Sequence, residues 1–158
     1  VVPLRSEGYV ESVLDEAVEA CPEGHILRLD DDETVSDEMR AWLKASEWQA
    51  SDHWAFPRMN LWPDETSYIA SDPLWPDLQT RLSSKEKSGS RPVVHQGSPF
   101  GTGQVAPVAL LHHKFLVRGR EERERMVESY EQVQPGAGRG WLPFSVPERY
   151  DFDVEKVA

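Results

Sequence analysis

The sequence predicts an α/β fold, a mixed sheet flanked by helices, and three observations carry that expectation. A stretch of helical period, "YVESVLDEAVEAC" (9–21), runs into a short apolar segment, "HILRLD" (25–30), and then into a second helical stretch behind Ser36. This helix–strand–helix order is the unit from which α/β sheets are built. Further on, "HWAFPRMNLW" (53–62) alternates with the two-residue period of a strand, and "REERERMVESYEQV" (120–133) reads as a helix with mixed-sign charge pairs.

Each element has its own local reason. The opening "VVPLRSEG" reads as a strand fragment or loop. In the first helix Val10, Val13, Leu14, Ala17 and Cys21 share a face, and Pro22 with Gly24 ends it. The run 25–30 is short and apolar enough for a buried strand. Ser36 is a candidate N-cap, Asp37 and Glu38 suit a first turn, and Met39, Trp42 and Leu43 make one helical face. In 53–62, Trp54, Phe56, Arg58, Asn60 and Trp62 take one side, while Pro57, which has no N–H, points to an edge or a bulge. "SSKEKSGSRP" (83–92) reads as an exposed turn or loop, and "HQGSPFGTGQVAP" (95–107) as an irregular loop long enough to be functional. "ALLHHKFL" (109–116) reads as a helix, and the Gly/Pro-rich chain from Pro135 as an extended strap.

With 158 residues the chain is the size of one ordinary domain, and 39% hydrophobic content with six Trp, five Phe and four Tyr suits a packed core. No apolar run approaches the roughly 18 residues of a membrane span, and no signal-peptide pattern opens the sequence, so no membrane span and a cytoplasmic location are expected. The single Cys21 excludes an intramolecular disulfide. Formal net charge is -11, and residues 1–40 hold twelve Asp/Glu against three Lys/Arg, whereas 41–158 hold sixteen against fourteen. Such a field repels a phosphate backbone, so no nucleic-acid partner is expected, and a divalent cation would neutralise part of it.

The charge peaks at Asp30–Glu33, directly after an apolar run. In a strand, residues i and i+2 face the same way, so Asp30 and Asp32 can reach one ion, with Asp31 on the other side and Glu33 beginning the turn. Mg²⁺ and Mn²⁺ take oxygen ligands and commonly bridge a protein carboxylate to a pyrophosphate. A solvated acidic turn is the plain alternative.

Five segments stand in a fixed order: "ILRLDDDE" (26–33), "FPRMNLW" (56–62), "WPDLQTRL" (75–82), the His-bearing pair "VVHQG" (93–97) and "ALLHHKF" (109–115), and "REERERMVESYE" (120–131). In that order they resemble the family 2 type glycosyltransferases of the GT-A fold, over roughly residues 8 to 150. The resemblance implies a GT-A-like, Rossmann-like mixed sheet, with 1–134 as the catalytic region and 135–158 as a tail. It implies a nucleotide-sugar donor, a hydroxyl-bearing acceptor, and Mn²⁺ or Mg²⁺ on the diphosphate. Asp32 and His112, with His113 beside it, become the metal residues. Asp30, Asp32 and Arg81 line the donor side, and Asp77 becomes the general base of an inverting transfer. His95, Trp62 and Trp75 fall near the acceptor, where an indole face can stack on a sugar.

Three positions depart from the pattern. Gln96 stands where the family usually has Glu, Met126 replaces a basic residue, and only 29 residues precede Asp30, so the N-terminal nucleotide-binding unit is expected to be short or missing. That shortfall keeps a second class open, a catalytically inactive GT-A-like binding protein. A third is an acidic protein that occupies a basic partner. A sheet edge left by a short front could be covered by a second copy of the chain.

Overall fold

The computed structural model describes residues 13–88 and 103–157. His95, Gln96 and the rest of "VVHQG" lie outside the described residues, as does the start of the first expected helix. What is described is a mixed α/β arrangement. In chain order it comprises α1 (Leu14–Ala20), β1 (His25–Leu27), β2 (Glu33–Val35), α2 (Asp37–Lys44), β3 (His53–Asn60), β4 (Ser67–Ile69), β5 (Asp77–Ser84), β6 (Gln104–Val105), β7 (Leu110–His112), α3 (Lys114–Val117), α4 (Arg120–Val133) and β8 (Val154–Lys156), with short 3-10 turns between some of them.

The main sheet runs β1-β5-β3-β7-β2, with β6 also on β3. β5 is antiparallel to both β1 and β3, β2 is antiparallel to β7, and β3 is parallel to β6 and β7. Pro57 is therefore in a central strand, not at the edge its missing N–H suggested. β3 changes partner on that side from β6 at residues 54–55 to β7 at residues 58–60, and Pro57 falls in the gap. A donor is not needed where no ladder is made.

α2 forms as its cap signals require. The Ser36 hydroxyl accepts the Met39 N–H at 3.0 Å and donates to the Ala109 carbonyl at 2.9 Å, so one side chain starts the helix and ties it to the segment before β7. Met39 and Trp42 then pack on Trp54, Phe56, Leu82, Ala106 and Leu110, with Leu43 alongside. Trp42 meets Trp54 and Phe56 edge-on at 5.0 and 5.7 Å between ring centroids. Removing a ring such as Phe56 from a core of this kind costs about 3–5 kcal/mol.

Two expectations for the second half of the chain are corrected. The run 109–116 is not a helix throughout: Leu110–His112 is strand β7, and only Lys114–Val117 is helical. A short apolar run fits either state, and here the open edge of β3 takes it up as a strand. The chain after Pro135 is not an extended strap either. It coils into 3-10 turns at Arg139–Phe144 and Pro147–Arg149, and only Val154–Lys156 is extended, antiparallel to β4. Val146 and Pro147 are fully buried, and Gly138 lies so close to α4 that a Cβ there would overlap the Val127 carbonyl oxygen. Arg123 of α4 holds this segment: it is 2% exposed, donates to the carbonyls of Arg118 (3.0 Å) and Ser145 (2.6 Å), and pairs with Glu148.

Candidate functional site

The polar cluster follows from strand alternation and register. Trp54 and Phe56 face α2, and the next residues of the same parity on β3 are Arg58 and Asn60. The same change from apolar to polar occurs from Leu110 to His112 on β7, and from Val35 to Glu33 on β2. Because Glu33 sits opposite His112, and His112 opposite Asn60, the register makes a row of three across three strands. Arg58 sits opposite Asp77 in the next row. β5 supplies one more member through a bulge: Trp54 pairs with Leu82 and Ala55 with Thr80, which leaves Arg81 as the extra residue. Bulges of this kind re-aim a side chain.

Arg81 reaches the acidic motif. It donates through Nε and Nη2 to the two oxygens of Glu33, both at 2.7 Å, and through Nη2 to Asp30 at 2.6 Å. Arg58 bridges Glu33 at 3.1 Å and Asp77 at 2.6 Å. Asp77 also accepts from Asn60 at 3.3 Å and Gln79 at 2.7 Å. Burial pushes the Glu33 carboxyl up, but the Arg81 hydrogen bonds and the charges of Arg81 and Arg58 outweigh it and hold the group at about 2. Burial would lower the Arg81 value, and Glu33, Asp30 and Asp77 together raise it.

The four acids therefore divide differently from the strand alternation expected of them. Residues 31–32 form a turn between β1 and β2, so no strand carries Asp30 and Asp32 on one face. Asp30 goes to Arg28 and Arg81, and Asp32 goes to His112 and Arg118. Glu33, expected to begin the turn, begins β2 instead, and its side chain is wholly buried. Asp31 is the solvated one, its side chain 84% exposed and paired with Arg118 at 2.9 Å.

The other end of the row is less complete. Asn60 donates its amide to the Leu74 carbonyl at 3.1 Å and to Asp77, so its oxygen is the atom facing His112 Nδ1 at 2.6 Å. His112 must donate from Nδ1, and its Nε2 then points at Asp32 Oδ1, 3.4 Å away. Burial and then the charge of Arg58 push His112 below its usual value, against the opposing pull of Asp32. Burial pushes the Asp32 carboxyl up, yet His112, Arg118 and Lys114 hold it at about 2. Asp32 and the His112 ring are thereby held face to face, as an ion pair when the imidazole is protonated and as two acceptors when it is not.

Lys114 stands beside this pair at the start of α3. Burial first, then the charge of Arg58, lowers it to about 8. Its ammonium donates to the Phe144 carbonyl at 2.9 Å and to Ser145 Oγ at 3.2 Å. Sequence reasoning missed Lys114, Arg58, Asn60 and Arg118. The one available signal for Lys114 was a cation inside the otherwise apolar run 109–116.

Trp62 and Trp75 lie apart from the cluster's contacts, and His113 meets it only through its backbone. Trp62 is half-buried, edge-on to Phe115 at 6.2 Å, in a second apolar cluster with Ile69 and Leu74. Trp75 is half-buried against Tyr68 at 5.0 Å. His113 donates its backbone N–H to the Asp32 carbonyl at 2.8 Å and holds Thr34 Oγ1 through its ring at 2.8 Å, so its side chain serves the β2 edge.

Among the described residues no group of three or more His, Cys, Asp and Glu is arranged to hold a metal ion. The donor set at hand is the pair Asp32 and His112. The carboxylate of that pair suits Mg²⁺ or Mn²⁺, and the imidazole suits later first-row metals such as Zn²⁺ better. No helix among the described residues is long and apolar enough to cross a membrane. No family model, curated protein or solved structure matches the chain.

Proposed function

We propose that this chain carries the catalytic region of a metal-dependent, GT-A-like glycosyltransferase that moves a sugar from a nucleotide-sugar donor to a hydroxyl acceptor with inversion. The observation that carries the reading is the juxtaposition of His112 Nε2 and the ionised Asp32, 3.4 Å apart. Mn²⁺ or Mg²⁺ bound there would supply Lewis-acid stabilisation to a departing diphosphate.

The chain's own residues set up the rest. Asn60 holds His112 Nδ1, so Nε2 is the ring nitrogen turned toward Asp32. Five carboxylates (Asp30, Asp31, Asp32, Glu33, Asp77) stand among five cations (Arg28, Arg58, Arg81, Lys114, Arg118). The cluster is therefore near neutral, and a dication entering it calls for an anion to enter with it, as a nucleoside diphosphate would. In this reading Asp77 is the base on the acceptor hydroxyl, and its pairing with Arg58 makes a specific demand. Arg58 must pass wholly to Glu33, which it already contacts, before Asp77 is free to accept a hydrogen bond from the acceptor hydroxyl.

The second reading, an inactive GT-A-like binding protein, draws on one observation: Asp30 and Asp77 are both already ion-paired. Calorimetric titration with UDP, GDP, dTDP, CDP and ADP in Mn²⁺, on this chain and on Asp32→Asn, tests both. Saturable, metal-dependent binding of one nucleotide that the variant loses is the expected result. Binding without sugar transfer from the matching donor favours the second reading. No binding by any nucleotide defeats both.

A further inference from the structure

We propose that Lys114 and Arg118, at the two ends of α3, form the anion-binding wall of the site and contact the diphosphate of a ligand held at Asp32 and His112. The inference deepens the function proposed above and rests on that reading for the identity of the ligand. It stands on geometry of its own.

Lys114 is the cation of the cluster that hydrogen-bonds no carboxylate, although the charge of Asp32 acts on it. The four arginines each reach at least one carboxylate: Arg28 reaches Asp30, Arg58 reaches Glu33 and Asp77, Arg81 reaches Asp30 and Glu33, and Arg118 reaches Asp31 and Asp32. Among the described residues Lys114 makes no ion pair; its two partners are a carbonyl and a hydroxyl, both neutral. A half-buried ammonium hydrogen-bonded only to neutral oxygens has room for an anionic partner in their place, and an entering anion would supply it. Arg118 lies one helical turn along, with its guanidinium divided between the exposed Asp31 and Asp32 Oδ2 at 3.5 Å. That second contact is long for a charge-assisted hydrogen bond, and a phosphate offers the same fork a better bidentate match.

Both cations are held from behind by the same device. Arg123 donates to the Arg118 carbonyl at one end of α3 and to the Ser145 carbonyl at the other, where Ser145 Oγ receives Lys114. Glu148 neutralises Arg123, and the ring of Phe115 lies 5.3 Å from the Arg123 guanidinium carbon. The buried Arg123, paired with the exposed Glu148, thereby fixes the spacing of Lys114 and Arg118. It gives the C-terminal 3-10 turns a part in the site that they do not have by direct contact.

The test is calorimetric titration of inorganic pyrophosphate, with Mn²⁺ and separately with EDTA, on this chain and on Lys114→Gln, Lys114→Arg, Arg118→Gln and the surface control Arg120→Gln. Thermal melts accompany each variant. The expected result is at least tenfold weaker pyrophosphate binding for Lys114→Gln and Arg118→Gln, near-parent binding for Lys114→Arg, and less than a twofold change for Arg120→Gln. Unchanged affinity in Lys114→Gln overturns the proposal, as does an equal loss in Arg120→Gln or no pyrophosphate binding by the parent chain. If Lys114→Gln fails to fold, Arg118→Gln and Lys114→Arg decide by the same criteria. Pyrophosphate binding that depends on Lys114, without binding of any nucleoside diphosphate, upholds the anion wall and defeats the nucleotide-sugar reading. Nucleotide binding indifferent to Lys114 does the reverse.

Discussion

The two ends of the polar row use the same chemistry to opposite effect. At the Glu33 end, carboxylates and guanidinium groups saturate one another: Arg81 takes both oxygens of a wholly buried Glu33, and Arg58 closes the remaining side against Asp77. At the Asp32 end, a carboxylate faces an imidazole at 3.4 Å, and a half-buried ammonium rests on a carbonyl and a hydroxyl oxygen. Ion pairing is saturated at the first end and incomplete at the second. Adjacent residues of one acidic run thus do different work, because the turn at 31–32 sends Glu33 into the sheet and leaves Asp32 at its end.

The largest expected effect lies at the saturated end. Arg81→Met leaves Glu33 as a buried carboxylate with only Arg58 to answer it, and breaking a buried pair from one side costs about 3–5 kcal/mol. Urea denaturation should show that loss for Arg81→Met, and a clearly smaller one for the Glu33→Gln/Arg81→Met double variant, in which no charge is stranded. A double variant as unstable as the single one would mean that Arg81 contributes by packing alone.

Next comes the acid limb of stability. Glu33 is held at about 2 against an ordinary 4.5, and Asp32 at about 2 against 3.8. A depressed carboxyl contributes stability that is present above its unfolded value and is lost as pH falls through its folded one. The contribution of these two carboxyls should therefore be level above about pH 5 and fall between about pH 5 and 2, with Glu33 accounting for about 3 kcal/mol. Glu33→Gln should flatten that limb more than Asp32→Asn. The opposite order in a pH series of denaturation curves would reverse the comparison between the two ends.

Asp32→Asn tests the reactive end itself. Its side chain is 11% exposed, and losing its charge should cost about 1–2 kcal/mol once solvent screening is allowed for. Its effect on ligand should be far larger, with Mn²⁺ binding, followed by water-proton relaxation, lost at concentrations that saturate the parent. A variant that keeps Mn²⁺ binding would remove Asp32 from the site while leaving the Glu33 network untouched.

How much of this was legible in the sequence follows from what each feature depends on. α2 was readable because Ser36, the acidic first turn and Met39/Trp42/Leu43 are local signals, and the structure uses them together. The period-2 alternation around Trp54 and Phe56 and the charge pairs of 120–133 were readable for the same reason. Register was not. That Glu33, His112 and Asn60 form one row depends on the pairing of three strands distant in sequence, and no local pattern encodes it. Arg81 is re-aimed by a bulge, and Pro57 is tolerated centrally because β3 changes partner beside it. Arg123 looked like one more charge on a solvated helix, and its burial depends on the C-terminal turns folding back over α4.

The smallest expected effect is the most discriminating for the anion wall. Asp31 is exposed and holds Arg118 by two oxygens, at 2.9 and 3.0 Å. Surface pairs of this kind contribute little, so Asp31→Asn should change stability by at most about 0.5 kcal/mol. If Arg118 serves an incoming diphosphate, however, Asp31 competes with that ligand for the same guanidinium. Removing the competitor should strengthen pyrophosphate binding by about twofold, which corresponds to about 0.4 kcal/mol. The gain should vanish in the Arg118→Gln background, where there is nothing left to compete for. A gain that persists there would come from the general loss of one negative charge, and a loss of affinity would make Asp31 part of the site in its own right. Only a twofold gain that depends on Arg118 separates a guanidinium poised for ligand from one engaged in an ordinary surface pair.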